Sequence, residues 1–177
     1  MEINKNIKKQ WERLFTYYKQ KGLLIKECKG ATQDDINKLY NEFGLNLPDA
    51  FVDSCRICDE RYIFDTNEKK GWIGEDDLYS LGNTYYDFYN LFVINKEMRI
   101  YYEFWRDEWI VFYDNGTWIS AILDINTGKV YCFDNETGEY VLWTNTYEEW
   151  LEMAVDEVVQ YGELRLETME KLLGIEE

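Results

Sequence analysis

Two groups of residues in this 177-residue chain have the types and spacing that chemistry could use: adjacent carboxylates and a close pair of cysteines. The carboxylate pairs are Asp34-Asp35, Asp76-Asp77 and Glu148-Glu149. Glycoside hydrolysis runs on two carboxylates that converge across a cleft, and adjacency in the sequence does not arrange that. Asp34-Asp35 and Glu148-Glu149 also fall where helices are expected to begin, so capping and the helix dipole account for them. Asp76-Asp77 reads as a loop. The cysteines are Cys28, Cys55, Cys58 and Cys132, with one C-x-x-C at Cys55 and Cys58. The chain has no histidine, so neither a Cys/His zinc site nor a His-based triad can form, although Lys or carboxylate bases could replace the imidazole. A P-loop and a Gly-rich dinucleotide fingerprint are both missing. The expectation is a chain that is not an enzyme, binds no cofactor and no metal, and keeps its cysteines reduced in the core.

Composition narrows the function classes further. Hydrophobic residues make up 46% and aromatics 18%, with 15 Tyr and 7 Trp, enough for a folded core in one domain spanning 1–177. No run approaches the roughly 20 apolar residues of a membrane span. The opening MEINKNIKKQWERL lacks the apolar centre of a secretory leader, which makes the cytoplasm the expected location. The net charge is −16, and it is unevenly spread. Residues 1–30 hold 8 Lys/Arg against 3 Asp/Glu, a balance of +5 that leaves −21 for the rest. Such a body repels nucleic-acid phosphates and attracts basic proteins.

The elements that must position these residues follow from period and punctuation. Ile7, Trp11, Leu14, Phe15 and Tyr18 recur at helical spacing, and Gly22 closes that helix. In GATQDDINKLYNEFGLNLPDAFVDSCRICDE, Thr32 can cap a helix over 33–43 whose apolar stripe is Ile36, Leu39, Tyr40 and Phe43. Gly44 fits the left-handed position after it. Pro48 fits the first turn of a second helix, over 48–58, with Phe51, Val52, Cys55 and Cys58 inward. RYIFD and KKGWIG could be two brief strands, and Tyr85, Phe88, Tyr89 and Phe92 suggest a helix from about Thr84 to Lys96. Arg99 to Trp143 reads as a β-meander with turns at Asp114-Asn115-Gly116, Asn126-Thr127-Gly128 and Asn135 to Gly138. Thr146 and Glu149 form a capping box for a C-terminal helix carrying Tyr147, Trp150, Leu151, Ala154, Val155 and Val158 on its apolar face. Gly162 breaks it, and Glu163 to Leu173 can form a further helix. The fold class is therefore α+β: a twisted antiparallel sheet of about 4–6 strands, flanked by N-terminal helices and a C-terminal helix.

The cap, Gly44 and Leu47-Pro48, at their spacing after Gly30-Ala31-Thr32, resemble the opening of the SUKH superfamily, the Smi/Knr-type domain. The second half agrees: Trp109, Asp114-Asn115-Gly116, Asp124, Gly128 and Val130-Tyr131, then TYEEWLEMAVDEV. The likeness covers most of residues 7–160. It departs where Cys58-Asp59-Glu60 stands in place of an Asn-Gly-type turn, and where Gly116-Thr117 replaces Gly-Asp. The resemblance implies an immunity-type protein that neutralises a toxin, commonly a nuclease, by sitting on it. It also allows a regulatory module like the yeast cell-wall glucan-synthesis regulator. A carbohydrate-active enzyme is a further alternative, from the carboxylates.

A binding role directs attention to places where acids stand beside aromatics. Exposed Tyr and Trp among Asp and Glu suit a basic protein partner, whereas RNA stacking would want Lys and Arg around them. Two stretches qualify: Glu75 to Asp87, with Asp76, Asp77, Tyr85, Tyr86 and Asp87, and Trp105 to Trp109, with Trp105, Asp107, Glu108 and Trp109. The other reading of their aromatics is that they fill the core between helices and sheet.

Overall fold

The computed structural model describes residues 2–22, 30–59, 77–78, 91–114, 118–162 and 164–174. Three helices come first: α1 (Lys5–Gln20), α2 (Gln33–Phe43) and α3 (Asp49–Ile57). Strand β1 (Asp77–Leu78) and helix α4 (Leu91–Tyr101) lead into β2 (Trp109–Asp114), β3 (Ile119–Asp124), β4 (Val130–Asp134) and β5 (Tyr140–Thr144). Helices α5 (Tyr147–Tyr161) and α6 (Leu166–Leu173) follow. The strands pair antiparallel in the order β1-β2-β3-β4-β5; β2 to β5 are the expected meander, whereas Asp77, read from the sequence as loop, is in β1 because its backbone pairs with the end of β2.

Each helix start has a local cause. Asn4 caps α1 by accepting from Asn6 N–H and Ile7 N–H. Thr32 accepts from Asp35 N–H while the Asp35 carboxylate accepts from Thr32 N–H, and the Thr32 hydroxyl, donating to that carboxylate, together with the N–H holds the Asp35 carboxyl below its ordinary range. At α5, Thr146 accepts from Glu149 N–H, and Glu149 reaches back to Asn145 N–H, one residue before the cap. Gly44 ends α2 at φ 70°, as the sequence indicates.

Both faces of the sheet are covered at its centre, so β3 is buried at every position. One face meets α3 and α5: Phe112 lies 4.7 Å from Trp150 and 5.7 Å from Phe51. Helix α1 packs outside α5 and α3. Ser54 is where the three helices meet, accepting from Trp11 Nε1 at 2.9 Å and from the Tyr147 hydroxyl at 2.8 Å. The other face carries Trp109, Tyr131 and Phe133, and residues 102–105 close over it: Tyr102 and Trp105 each meet the Phe133 ring edge-on.

Several boundaries differ from the sequence reading. Pro48 is the N-cap of α3, one position before its first turn. Tyr40 is exposed, so the inner side of α2 is Ile36 and Phe43. Arg99 to Tyr101 are helical, because Leu91, Asn95 and Met98 form a buried stripe at i, i+4, i+7 that carries α4 past Lys96. The expected strands in RYIFD and KKGWIG, and the start of the helix expected from Thr84, lie outside the described residues.

Candidate functional site

The segment from Trp105 to Trp109 joins α4 to β2 as a series of tight turns. Trp105 N–H donates to Tyr102 O and Trp109 N–H donates to Arg106 O. Arg99 on α4 draws the segment in, donating from Nη2 to Asp107 O at 2.7 Å and to Trp109 O at 3.3 Å. This winding turns the two indoles inward. Trp105 is 8% and Trp109 1% exposed, with their rings edge-to-face at 5.7 Å. Both are core, the second of the two sequence readings, and the surface above them is left to polar neighbours: Glu103 and Asp107 are exposed and Glu108 is half-buried.

The other sequence candidates are not brought to this place by any described contact. Asp77 lies in β1, paired in register with Asp114 at the opposite edge of the sheet from β5. Asp76, Tyr85, Tyr86 and Asp87 lie outside the described residues.

The surface beside Trp105 and Trp109 has members that the sequence reading did not single out. Phe104 is 48% exposed, and its ring rests where a side chain at position 138 would be: a Cβ on Gly138 would stand 2.7 Å from Phe104 Cζ. Tyr140, at the start of β5, packs edge-on to Trp109 at 4.8 Å and still exposes 41% of its surface. Leu142 follows two residues later on the same face of the edge strand and is also exposed. The Arg106 guanidinium lies 4.8 Å from the Trp109 ring centroid and donates to the Tyr140 hydroxyl at 3.1 Å. One signal was available in advance. In KVYCFDNETGEYVLW, Tyr140 and Leu142 share parity on the last strand of a meander, where only one neighbouring strand is present.

Several of the groups that could have done chemistry have local structural roles. Asp35 and Glu149 are capping residues, as above. The two D-x-x-T-G turns are built alike: Asp124 accepts from Asn126 and Thr127 N–H, and Asp134 from Glu136 and Thr137 N–H. Among the described residues no group of three or more Cys, Asp or Glu side chains could hold a metal ion. The cysteines correct one expectation. Cys55 and Cys132 are free and buried, but Cys58 is disulfide-bonded, at the C-cap of α3. Burial raises the Cys55 thiol well above its ordinary range and pushes the Cys132 thiol up to about 12, so neither is poised as a nucleophile. Burial likewise raises the Tyr147 phenol, which sits against Ser54 and Cys55.

Among the described residues no helix is long and apolar enough to cross a membrane. A family model described as SMI1 / KNR4 family (SUKH-1) matches residues 30–153. The match begins at Gly30, just before the α2 cap, and ends within α5, so α1 and α6 lie outside it. No curated protein matches the chain.

Proposed function

This chain belongs to the SMI1/KNR4 family (SUKH-1), and from that premise we propose that it is a non-catalytic binding protein that neutralises a basic toxin domain by occluding it. The observation that carries this reading is charge. A total of −16, with +5 held in residues 1–30, leaves an acidic body. Its acids stand on the surface beside exposed aromatics at Phe104 and Tyr140. Acidic protein inhibitors of basic enzymes gain association rate from this asymmetry, because the summed field draws the partner in before contact. The capped carboxylates and high-pKa thiols support binding over catalysis. The cytoplasm is the compartment in which such protection would operate.

The test is neutralisation. A toxin encoded beside this chain should be inhibited at one-to-one stoichiometry by the purified protein, and cells expressing the chain should survive it. Turnover of a substrate by the chain alone, or survival no better than that of a toxin-only control, would remove the reading.

A further inference from the structure

We propose that the surface where residues 103–107 cross the β4–β5 turn is the docking site for an arginine-rich segment of a partner polypeptide. The proposal rests on the binding role above and names the part of the acidic surface that makes contact. Phe104 and Tyr140 flank Phe133: the Phe104 ring is 6.3 Å from it, and Tyr140 is its register partner on the neighbouring strand. Phe104 lies against Gly138, two residues before Tyr140, so the two exposed rings and Leu142 line one apolar shelf along the last strand of the sheet.

The charge around this shelf is one-sided. Within residues 103–107 and 136–142 there are four acids, Glu103, Asp107, Glu136 and Glu139, all exposed, and one base, Arg106. Arg106 is already engaged with the Trp109 face and the Tyr140 hydroxyl. That internal contact displays the chemistry the shelf accepts: a planar guanidinium lying on an aromatic ring with an oxygen at its edge. Arginine does this better than lysine, because its flat, weakly hydrated cation stacks on rings and forks onto carboxylates at once. A second copy of this chain is the poorer occupant, since shelf-to-shelf packing would bring eight carboxylates together in a protein already at −16.

The probe is an acetylated, amidated octa-arginine peptide titrated into the isotope-labelled full chain, with octa-lysine and octa-glutamate peptides as comparisons. Amide shifts should concentrate at residues 101–107 and 136–142. Octa-arginine should bind more tightly than octa-lysine, and octa-glutamate not at all. Glu136→Gln with Glu139→Gln should weaken octa-arginine binding several-fold at unchanged melting temperature, and Phe104→Ala with Leu142→Ser at least as much. Shifts distributed over the acids of α5 and α6, or no response to the Glu136/Glu139 pair, would overturn the proposal. So would amide shifts on the shelf that follow protein concentration without peptide, which would assign it to a second copy. The protective role fails separately. A Phe104→Ala/Leu142→Ser chain that still neutralises the toxin at full strength overturns this surface and leaves that role. A wild-type chain that binds octa-arginine here but protects against nothing keeps the surface and overturns the role.

Discussion

Asn95 and Val111 exchange two hydrogen bonds: Asn95 Nδ2 donates to Val111 O, and Val111 N–H donates to Asn95 Oδ1, both at 2.9 Å. Among the described residues, strand β1 is in register with β2 at Tyr113 and Asp114. The side-chain amide of Asn95 therefore serves Val111 as a neighbouring strand would, and its remaining donor reaches Leu91 O at 2.8 Å. The pair fixes α4 to the edge of β2 and thereby sets where the 102–109 connection begins.

Asn95→Leu should leave a buried N–H and a buried C=O of Val111 unpaired. The expected loss is about 2–5 kcal/mol, read as a lower urea midpoint, because each orphaned buried polar group costs about 1–3 kcal/mol. A loss below about 1 kcal/mol would mean that water or another group takes over both bonds.

Two glycines flanking α2 should respond differently to a side chain. Gly44 has φ 70° and open space around a would-be Cβ, so Gly44→Val meets only backbone strain, about 1 kcal/mol or more. At Gly30 a Cβ would lie 1.8 Å from Arg56 O, beside the bond from Ala31 N–H to Cys55 O at 2.8 Å. Gly30→Ala must push the chain off α3 and should destabilise more than Gly44→Val. Equal melting temperatures for the two variants would show that the close approach is not kept in solution.

These two glycines mark the limit of what the sequence makes legible. Gly44 was readable because a left-handed cap is a local feature, fixed by the end of an apolar stripe. Gly30 was not, because the carbonyl it must avoid comes from Arg56, 26 positions later. The same divide runs through the site. The meander, the cap at Thr146 and the inner face of α5 follow from period and turn chemistry, and all three are present. Whether Trp105 and Trp109 point in or out depended on Arg99 pulling residues 107–109 onto α4, and no local pattern encodes that. The aromatics left outside, Phe104 and Tyr140, are exposed because the covering segment ends over Gly138 and β5 has a strand on one side only.

Thiol chemistry should separate the four cysteines. Cys55 and Cys132 are free but buried, with thiols raised by desolvation, so the folded protein should react slowly with iodoacetamide at pH 8. After unfolding without reductant, Cys55 and Cys132 should titrate and Cys58 should not; after reduction, Cys58 should titrate too. Disulfides persist in oxidising compartments and are rare in the cytosol, so acid-quenched alkylation of living cells also reports where the chain resides. A Cys58 thiol trapped in cells but lost after purification would place the protein in a reducing compartment and date the Cys58 bond to extraction.

The last prediction separates steering from anchoring. Asp107 and Glu103 are exposed at the rim and act on a basic partner largely through the field, so Asp107→Asn with Glu103→Gln should slow association at low salt by more than it speeds dissociation. The effect should fade as salt rises, because at about 1 M the screening length falls to roughly 3 Å. Asp76→Asn and Asp77→Asn should act in the same way if that stretch faces the partner. Trp105→Ala should do something else. Its indole is 8% exposed and packs on Trp109 and Phe133, so truncation should cost about 3–5 kcal/mol of stability and leave the salt dependence of association as it was. Stopped-flow association with the toxin across a salt series, with a melting curve for each variant, reads all of these. An association rate indifferent to salt would end the steering account. A Trp105→Ala protein that melts like its parent but releases the partner faster would make Trp105 a surface anchor after all.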